Sequence, residues 1–228
     1  MSIYFITGID TDAGKSYATG VMLRYLVSAG VSATTFKLVQ TGSTDEISED
    51  ILLHRRIAGI QMSELDLARR TFPEVYTYPA SPHLAAEIDS RPLDIDKILA
   101  ALAEVSAAYE VVLVEGAGGL LAPLTRDISM GDFAAGQDWR TIVVTSGKLG
   151  SINHTLLTIE AAVRRGMEIC AVLYNAYPAA DVVISADTKA FLRGYLERNL
   201  PRTVWAEVPL VNSDDDVVPV DYSAIFGG

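Results

Sequence analysis

The sequence predicts an α/β fold in which helices cover both faces of a doubly wound, mostly parallel sheet. Short apolar runs rich in β-branched residues alternate along the chain with longer segments of helical spacing. The connections between them are short, which favours parallel strands joined by crossover helices. Half of the 228 residues are hydrophobic, which is enough for one core. We therefore expect a single domain over residues 1–228.

Each element is assigned from its local pattern. Strands are predicted where β-branched and aromatic residues cluster, over residues 3–6, 34–39, 110–114, 141–145, 169–173 and 204–208. Helices are predicted where apolar residues recur at helical spacing, over residues 15–29, 49–58, 94–107, 151–165 and 185–199. Ser151 is expected to cap the helix that it begins, and His54 to lie on a helix surface. Residues 61–91 contain three prolines and are expected to form loops with short helices, which would serve either as a lid or as a wall of the substrate site.

The charge of the chain restricts its partners. The formal net charge is −11, and an acidic surface repels both nucleic acid and anionic lipid. No apolar run is long enough to cross a bilayer, and one cysteine cannot form an intrachain disulfide. We expect a cytoplasmic protein that binds neither nucleic acid nor membranes. Three of the five lysines, Lys15, Lys37 and Lys148, fall at the ends of predicted strands, where α/β sheets bind ligands.

A glycine-rich segment, residues 8–16 (GIDTDAGKS), joins the first predicted strand to the first helix. The order of strand, glycine-rich turn, Gly-Lys-Ser and helix is typical of a P-loop, in which backbone N–H groups bind phosphate. Lys15 is expected to reach the β and γ phosphates of ATP, and the Ser16 hydroxyl to bind Mg²⁺. The loop is one residue longer than the general Walker pattern, so a chance Gly-Lys-Ser is the alternative interpretation.

This longer loop, with its pair Asp10 and Thr11, resembles the P-loop of dethiobiotin synthetases. Two residues depart from the usual family pattern: Ser16 replaces the more frequent threonine, and Leu38 replaces a proline. The resemblance extends to about residue 209. Four later segments match in order: residues 36–42 (FKLVQTG), 81–86 (SPHLAA), 114–119 (VEGAGG) and 148–154 (KLGSINH).

The resemblance implies a P-loop fold and a reaction in biotin biosynthesis. One amine of 7,8-diaminononanoate takes up CO₂ to form a carbamate, and a carbamate oxygen attacks the γ-phosphate of ATP. The second amine then closes a cyclic urea and expels phosphate, which yields dethiobiotin and ADP. Such phosphoryl transfer depends on positioning and charge neutralisation.

The resemblance also implies catalytic and nucleotide-binding residues. Lys15 and Lys37 would stand on either side of the γ-phosphate, and Thr11 would hydrogen-bond the reacting groups. Lys37 could instead be a surface residue that ends a strand. Asn175 would read adenine, with Pro209 beside the base. The residues expected to bind the nucleotide are Asp12, Ala13, Gly14, Lys15, Ser16, Tyr17, Asn175 and Pro209.

Magnesium prefers oxygen ligands and keeps several waters. We expect its ligands to be Ser16, Asp50 and Glu115. Glu115 ends the most apolar strand, where an unpaired charge is costly, so a structural role in a loop is the alternative. Asp50 opens a helix, where aspartate often serves only as a dipole partner, and Asp45 or Glu49 could take its place.

Substrate contacts follow mainly from the family. The residues expected to bind substrate are Thr11, Lys37, Thr41, Ser81, Gly118, Leu149, Gly150 and Asn153. The last three lie at a helix N-terminus, a site suited to a carboxylate. In the family this terminus serves the active site of the neighbouring subunit, which implies a homodimer. A plain capped helix is the alternative.

Other functions remain open from the sequence. A partitioning ATPase, which is a partner-driven nucleotide switch, shares the fold, but its loop has an extra lysine where this chain has Ile9 and Asp10. A cobyrinate-type amide synthetase would need a glutaminase domain, for which the chain is too short. A nucleotide-binding protein without activity is the third alternative. Cys170, inside an apolar strand, is expected to be a core residue.

Overall fold

The computed structural model describes residues 1–45, 47–176, 181–209 and 219–227. Within them, parallel strands form a six-stranded sheet in the order β2-β5-β1-β6-β7-β8, and β3 pairs with β4 in a separate two-stranded sheet. The strands are β1 (Ser2–Gly8), β2 (Ala33–Lys37), β3 (Gln40–Thr41), β4 (Val75–Tyr76), β5 (Val111–Gly119), β6 (Arg140–Ser146), β7 (Ile169–Asn175) and β8 (Val204–Val208).

Helices connect these strands and cover both faces of the sheet. They are α1 (Lys15–Ser28), α2 (Glu49–Ala58), α3 (Glu64–Leu67), α4 (Pro82–Ile88), α5 (Ile95–Ala108), α6 (Met130–Ala135), α7 (Ser151–Arg164), α8 (Val182–Asn199) and α9 (Ser223–Phe226). None of the helices in the described ranges is both long and apolar enough to span a membrane.

The side chains of β1 alternate between the two faces, as the pleat of a strand requires. Phe5 lies in a core that includes apolar residues of α4 to α8. Tyr4 and Ile6 point to the other face and pack against α1, α2 and α9. The predicted doubly wound α/β fold is therefore confirmed.

The strand order places β1 between β5 and β6, where chain connections leave in opposite directions along the sheet. In open α/β sheets this switch point forms a crevice at the carboxyl ends of the strands. The residues that follow β1 and those that end β2, β5 and β7 are therefore brought towards one edge. The candidate active site lies there.

Most predicted elements are present, with differences at their boundaries. The second predicted strand ends at Lys37, and Gln40–Thr41 pairs instead with Val75–Tyr76. Helix α8 begins at Val182, three residues before the predicted start, because Asp181 caps it. Helices α6 and α9 were not predicted. Cys170 is buried in β7, and its thiol donates to the Thr141 carbonyl at 3.3 Å.

Two sequence-based expectations were wrong. His54 does not lie on a surface: its side chain is fully buried between α2 and the sheet. Ser151 does not cap α7, because Gly150 occupies the cap position in a left-handed conformation with φ of 96°. The Ser151 hydroxyl lies 2.9 Å from Ser146 Oγ instead and ties the first turn of the helix to β6.

Candidate active site

The glycine-rich segment after β1 folds into a tight loop, which we call the phosphate loop because its sequence is typical of a P-loop. Asp10 accepts a 2.7 Å hydrogen bond from Thr11 N and caps a 3₁₀ turn over Thr11–Ala13. Gly14 follows with φ of 86° and opens α1, whose first backbone N–H groups have no side-chain cap. The loop therefore ends in an uncapped helix N-terminus, a feature that is suited to binding phosphate.

Lys15 folds back over this loop. Its ammonium donates to the carbonyl oxygens of Asp10 and Thr11 at 3.2 and 3.3 Å. The side chain is buried, and burial, followed by repulsion from Lys37, lowers the pKa of Lys15 to about 8. The carbonyl oxygens thus hold a cation that phosphate oxygens would bind more strongly.

Asn175, at the end of β7, packs directly on the loop. Its Nδ2 donates to the Ala13 carbonyl at 3.1 Å, and a Cβ atom added at Gly14 would lie 1.9 Å from the same nitrogen. Glycine is therefore required at position 14 both for its positive φ and for this close approach. Pro209 directly follows β8, which pairs with β7. The predicted nucleotide residues Asp12, Tyr17, Asn175 and Pro209 are thus distributed around the loop and along the neighbouring strand ends.

A second cluster, which we call the acid–lysine cluster, consists of Ser16, Lys37, Asp50 and Glu115. The Lys37 ammonium lies 2.6 Å from Asp50 Oδ2 and 2.8 Å from Glu115 Oε1. The Ser16 hydroxyl donates to the same Glu115 oxygen at 2.8 Å. Residues predicted from four separate segments are therefore in direct contact.

Charge pairing decides the protonation of this cluster. Burial alone would raise the pKa of Glu115, but Lys37 and His54 outweigh it and hold that pKa well below its usual range. Burial likewise opposes the charge on Lys37, but Asp50 and Glu115 raise its pKa above the usual value. An ionised carboxylate and a charged ammonium therefore face each other at neutral pH.

The oxygens of the acid–lysine cluster suit a magnesium ion. Ser16, Asp50 and Glu115 provide a hydroxyl and two carboxylates, and the Lys37 ammonium already stands between the two acids as a cation. Across the described ranges, no group of three or more His, Cys, Asp and Glu residues could hold a metal ion. Mg²⁺ does not need such a group, since it typically uses one or two carboxylates together with phosphate oxygens and waters.

A cavity of about 810 Å³ opens beside the phosphate loop. Four predicted substrate residues, Thr11, Thr41, Ser81 and Gly118, line it together with apolar side chains such as Leu120 and Leu157. The Ser81 hydroxyl lies 3.0 Å from His83 Nδ1. The cavity therefore combines hydroxyl groups with an apolar wall.

The remaining predicted substrate residues lie elsewhere. Leu149, Gly150 and Asn153 line a separate surface depression beside α8, and Leu149 is 87% exposed. Lys148 lies near the phosphate loop, with its ammonium 3.5 Å from the Asp12 carbonyl. Within one chain, α7 therefore contributes His154 and Leu157 to the main cavity, whereas Leu149, Gly150 and Asn153 do not line it.

Three buried residues behind the acid–lysine cluster were missed in the sequence. His54 Nε2 lies 3.0 Å from Glu115 Oε2, and Thr35 and Arg55 lie behind the His54 ring. A signal did exist: His54 follows Asp50 by four residues, so the two share one face of α2. A polar face with that spacing, beside a predicted metal ligand, favours a position inside the site.

Comparison with known proteins identifies the family of this chain. The AAA domain family model matches residues 3–215. The chain is 44% identical over 210 residues to the ATP-dependent dethiobiotin synthetase BioD 2 of Pasteurella multocida (strain Pm70), which covers 92% of this chain and 98% of that protein. It is 41% identical over 193 residues to the ATP-dependent dethiobiotin synthetase BioD of Chlorobaculum tepidum. That alignment covers 85% of this chain and 80% of that protein.

Solved structures share the fold at low identity. A plasmid partition protein from Borrelia burgdorferi B31 bound to AMPPNP superposes with a TM-score of 0.57 at 11% identity, over 99% of this chain and 94% of that one. The cell division protein FtsY of Thermotoga maritima superposes with a TM-score of 0.54 at 15% sequence identity. The superposition covers 98% of this chain and 66% of that one. These likenesses show the fold alone. The phosphate loop, the acid–lysine cluster and the close relatives together show that the chain belongs to the ATP-dependent dethiobiotin synthetase family.

Proposed function

We propose that this chain is a dethiobiotin synthase, which carboxylates 7,8-diaminononanoate with CO₂ and closes the cyclic urea at the expense of ATP in biotin biosynthesis. The observation that carries the proposal is the placement of the phosphate loop, the acid–lysine cluster and one large cavity at the same edge of the sheet. The names of relatives more than 40% identical support the same reaction.

The reaction brings two anions together, so its main requirement is positive charge at the γ-phosphate. Lys15 and Lys37 would supply it, since their ammonium groups lie at the loop after β1 and at the end of β2. The hydroxyls of Thr11, Thr41 and Ser81 would hydrogen-bond the amines and the carbamate, and Gly118 would let the substrate approach the backbone. No enzymic nucleophile is needed, because the carbamate oxygen itself attacks the phosphate.

We assign Mg²⁺ to the oxygens of Ser16, Asp50 and Glu115. When bound, the ion would neutralise phosphate charge during transfer. For the nucleotide, residues 12–17 would surround the phosphates, Asn175 would pair with adenine through its amide, and Pro209 would border the base.

We further propose a homodimer in which the N-terminus of α7 completes the active site of the partner subunit. Three exposed apolar side chains support an interface there, with Leu149 87%, Val182 81% and Val183 76% exposed. Leu149, Gly150 and Asn153 would then bind the substrate carboxylate of the other subunit. Residues 1–228 would act as one synthetase domain in the cytoplasm.

The test is to incubate the protein with ATP, Mg²⁺, bicarbonate and 7,8-diaminononanoate and to detect dethiobiotin by mass spectrometry. Lys37→Ala is expected to lose the product, whereas Lys189→Ala, which removes a partly exposed lysine paired with Glu207, should keep it. Product that depends on the diamine would support the proposal. Hydrolysis of ATP at the same rate without diamine, and no dethiobiotin, would refute it in favour of a partner-driven ATPase.

A further inference from the structure

We propose that His54 is a positioning residue that fixes the Glu115 carboxylate, so that one defined oxygen of Glu115 is presented to the magnesium ion and the Ser16 hydroxyl. The proposal rests on the proposed function only in taking Glu115 as a ligand of the nucleotide-bound cation. It concerns the side of Glu115 that faces away from the substrate.

The two oxygens of Glu115 have different partners. Oε1 accepts hydrogen bonds from the Ser16 hydroxyl and the Lys37 ammonium, both at 2.8 Å. Oε2 contacts His54 Nε2 at 3.0 Å. Both Glu115 and His54 are fully buried, so water does not compete for these contacts. His54 therefore holds Oε2 on the inner side and leaves Oε1 to face the phosphate loop.

The contacts of the His54 imidazole define which of its two nitrogens carries a hydrogen. Glu115 is ionised and can only accept, so His54 Nε2 carries a proton in either charge state of the ring. Nδ1 lies 3.0 Å from Thr35 Oγ1. That oxygen already accepts a hydrogen bond from Arg55 Nη1 at 2.9 Å, which leaves the Thr35 hydroxyl hydrogen free to point at Nδ1. A neutral imidazole thus satisfies both of its neighbours.

A buried ion pair anchors this chain of contacts. Arg55 donates to both oxygens of Asp66, through Nε at 2.8 Å and Nη2 at 2.7 Å. Asp66 in turn caps the start of α3, where it accepts from the backbone of Ser63 at 2.8 Å. Arg55 and Asp66 are both buried, so the Thr35 hydroxyl and the His54 ring are held from behind by a rigid support.

The support behind His54 is important because Mg²⁺ requires a defined ligand geometry. The ion demands a nearly ideal octahedral arrangement, so a carboxylate that rotates or chelates through both oxygens is a poor ligand. Groups that hold ligands from behind are worth about 10–100-fold in metal affinity or activity. His54 lies one helical turn after Asp50, so α2 provides one proposed ligand directly and orients the other through its next turn.

The test measures metal binding independently of turnover. Mn²⁺ binding to the whole protein in the presence of ADP is measured by electron paramagnetic resonance, with His54→Gln and His54→Leu as variants. The glutamine amide nitrogen can reach the position of Nε2 and donate to Glu115, whereas leucine cannot donate. We expect His54→Leu to weaken Mn²⁺ binding about 10–100-fold, and His54→Gln to stay close to wild type.

A control separates positioning from general destabilisation. Val105→Ala removes two methyl groups from the fully buried core under α5 and should lower the melting temperature without changing Mn²⁺ affinity. If His54→Leu fails to fold, His54→Asn replaces it, because its shorter amide reaches Thr35 but not Glu115. Unchanged Mn²⁺ affinity in the variant without the donor would overturn the proposal and leave the proposed function standing. Absence of Mn²⁺ binding in the wild type would overturn the metal assignment itself.

Discussion

The ammonium of Lys37 lies 2.6 Å from Asp50 Oδ2, which joins the end of β2 to the first turn of α2. The same ammonium also contacts Glu115, so one lysine pairs with both acids that we assign to Mg²⁺. A metal ion bound by Asp50 and Glu115, as we propose, would therefore compete with Lys37 for these oxygens. Binding of the metal is expected to release Lys37 towards the cavity, where its charge is needed in the reaction.

Lys37→Ala tests this competition. Without the ammonium, two carboxylates face each other uncompensated, so we expect Mn²⁺ to bind more tightly to the nucleotide-free variant than to wild type. Turnover should nevertheless fall about 10²–10³-fold, because charge at the phosphate is lost. Mn²⁺ affinity and dethiobiotin formation are measured on the same sample. Weaker metal binding in the variant would contradict shared occupancy.

The affinity for ATP is expected to depend on the protonation of Lys15. Burial lowers the pKa of Lys15 to about 8, and the phosphates favour its charged form. ATP affinity should therefore decrease as the pH rises above 8, which calorimetry without diamine can follow. Lys15→Arg stays charged over this range and serves as the control. An affinity in the wild type that does not change up to pH 10 would contradict the prediction.

The lowered pKa of Lys15 also predicts that the stability of the protein changes with pH. The unfolded chain keeps the Lys15 proton up to about its ordinary pKa of 10.5, whereas the folded chain releases it near 8. Between these values the unfolded state binds more protons, so the free energy of unfolding should rise with pH over this window. Lys15→Met is expected to be more stable than wild type at pH 7, and this advantage should shrink towards pH 10 in thermal melts.

Gly14→Ala tests the contact between the phosphate loop and β7. The new Cβ would strike Asn175 Nδ2, and the φ of 86° adds strain. Gly30→Ala is the matched control, because Gly30 has φ of 78° but nothing within 4 Å of the added atom. Both variants should lose about 1–2 kcal/mol of stability, because alanine is strained at a positive φ. Only Gly14→Ala should lose turnover, about a hundredfold, through displacement of the loop. Equal turnover in the two variants would contradict the prediction.

The parts of this site that could be predicted are those whose sequence signal lies within a short segment of the chain. The phosphate loop lies within nine consecutive residues, so its sequence alone defined the turn, the lysine and the following helix. Lys37 and Glu115 were predicted because both were expected near the carboxyl end of a strand, although β5 continues four residues beyond Glu115. The cavity residues Thr11, Thr41, Ser81 and Gly118 came from the family resemblance, and the structure brings them together.

The parts that sequence reasoning missed depend on distant contacts. Strand β5 continues to Gly119 because its last residue pairs with Gly8, over 100 residues away. His54 is buried because Thr35 and Glu115 lie opposite it on two neighbouring strands. The residue pattern of a helix shows which of its faces is apolar. It does not show that a polar side chain on a neighbouring strand lies opposite a polar residue of the helix.

Leu149→Asp is expected to separate the proposed dimer. A charge at a side chain that is 87% exposed in the single chain leaves the fold intact but opposes burial against a partner. Val163→Asp, at a half-exposed apolar residue in the last turn of α7, is the control. Light scattering should show a monomer only for Leu149→Asp, together with loss of turnover but retained ATP binding. A wild-type monomer in solution would contradict the proposed interface.

The position of β1 in the sheet has a consequence for the synthesis of the protein. Its two neighbours are β5 and β6, which begin at residues 111 and 140. At about 5–20 residues per second, roughly 5–20 s pass on the ribosome before the first neighbour is made. During this interval an apolar strand without charge or proline has both edges unpaired, which favours association with other nascent chains. The unpaired β1 therefore adds a risk of aggregation during translation, before the phosphate loop exists as a folded structure.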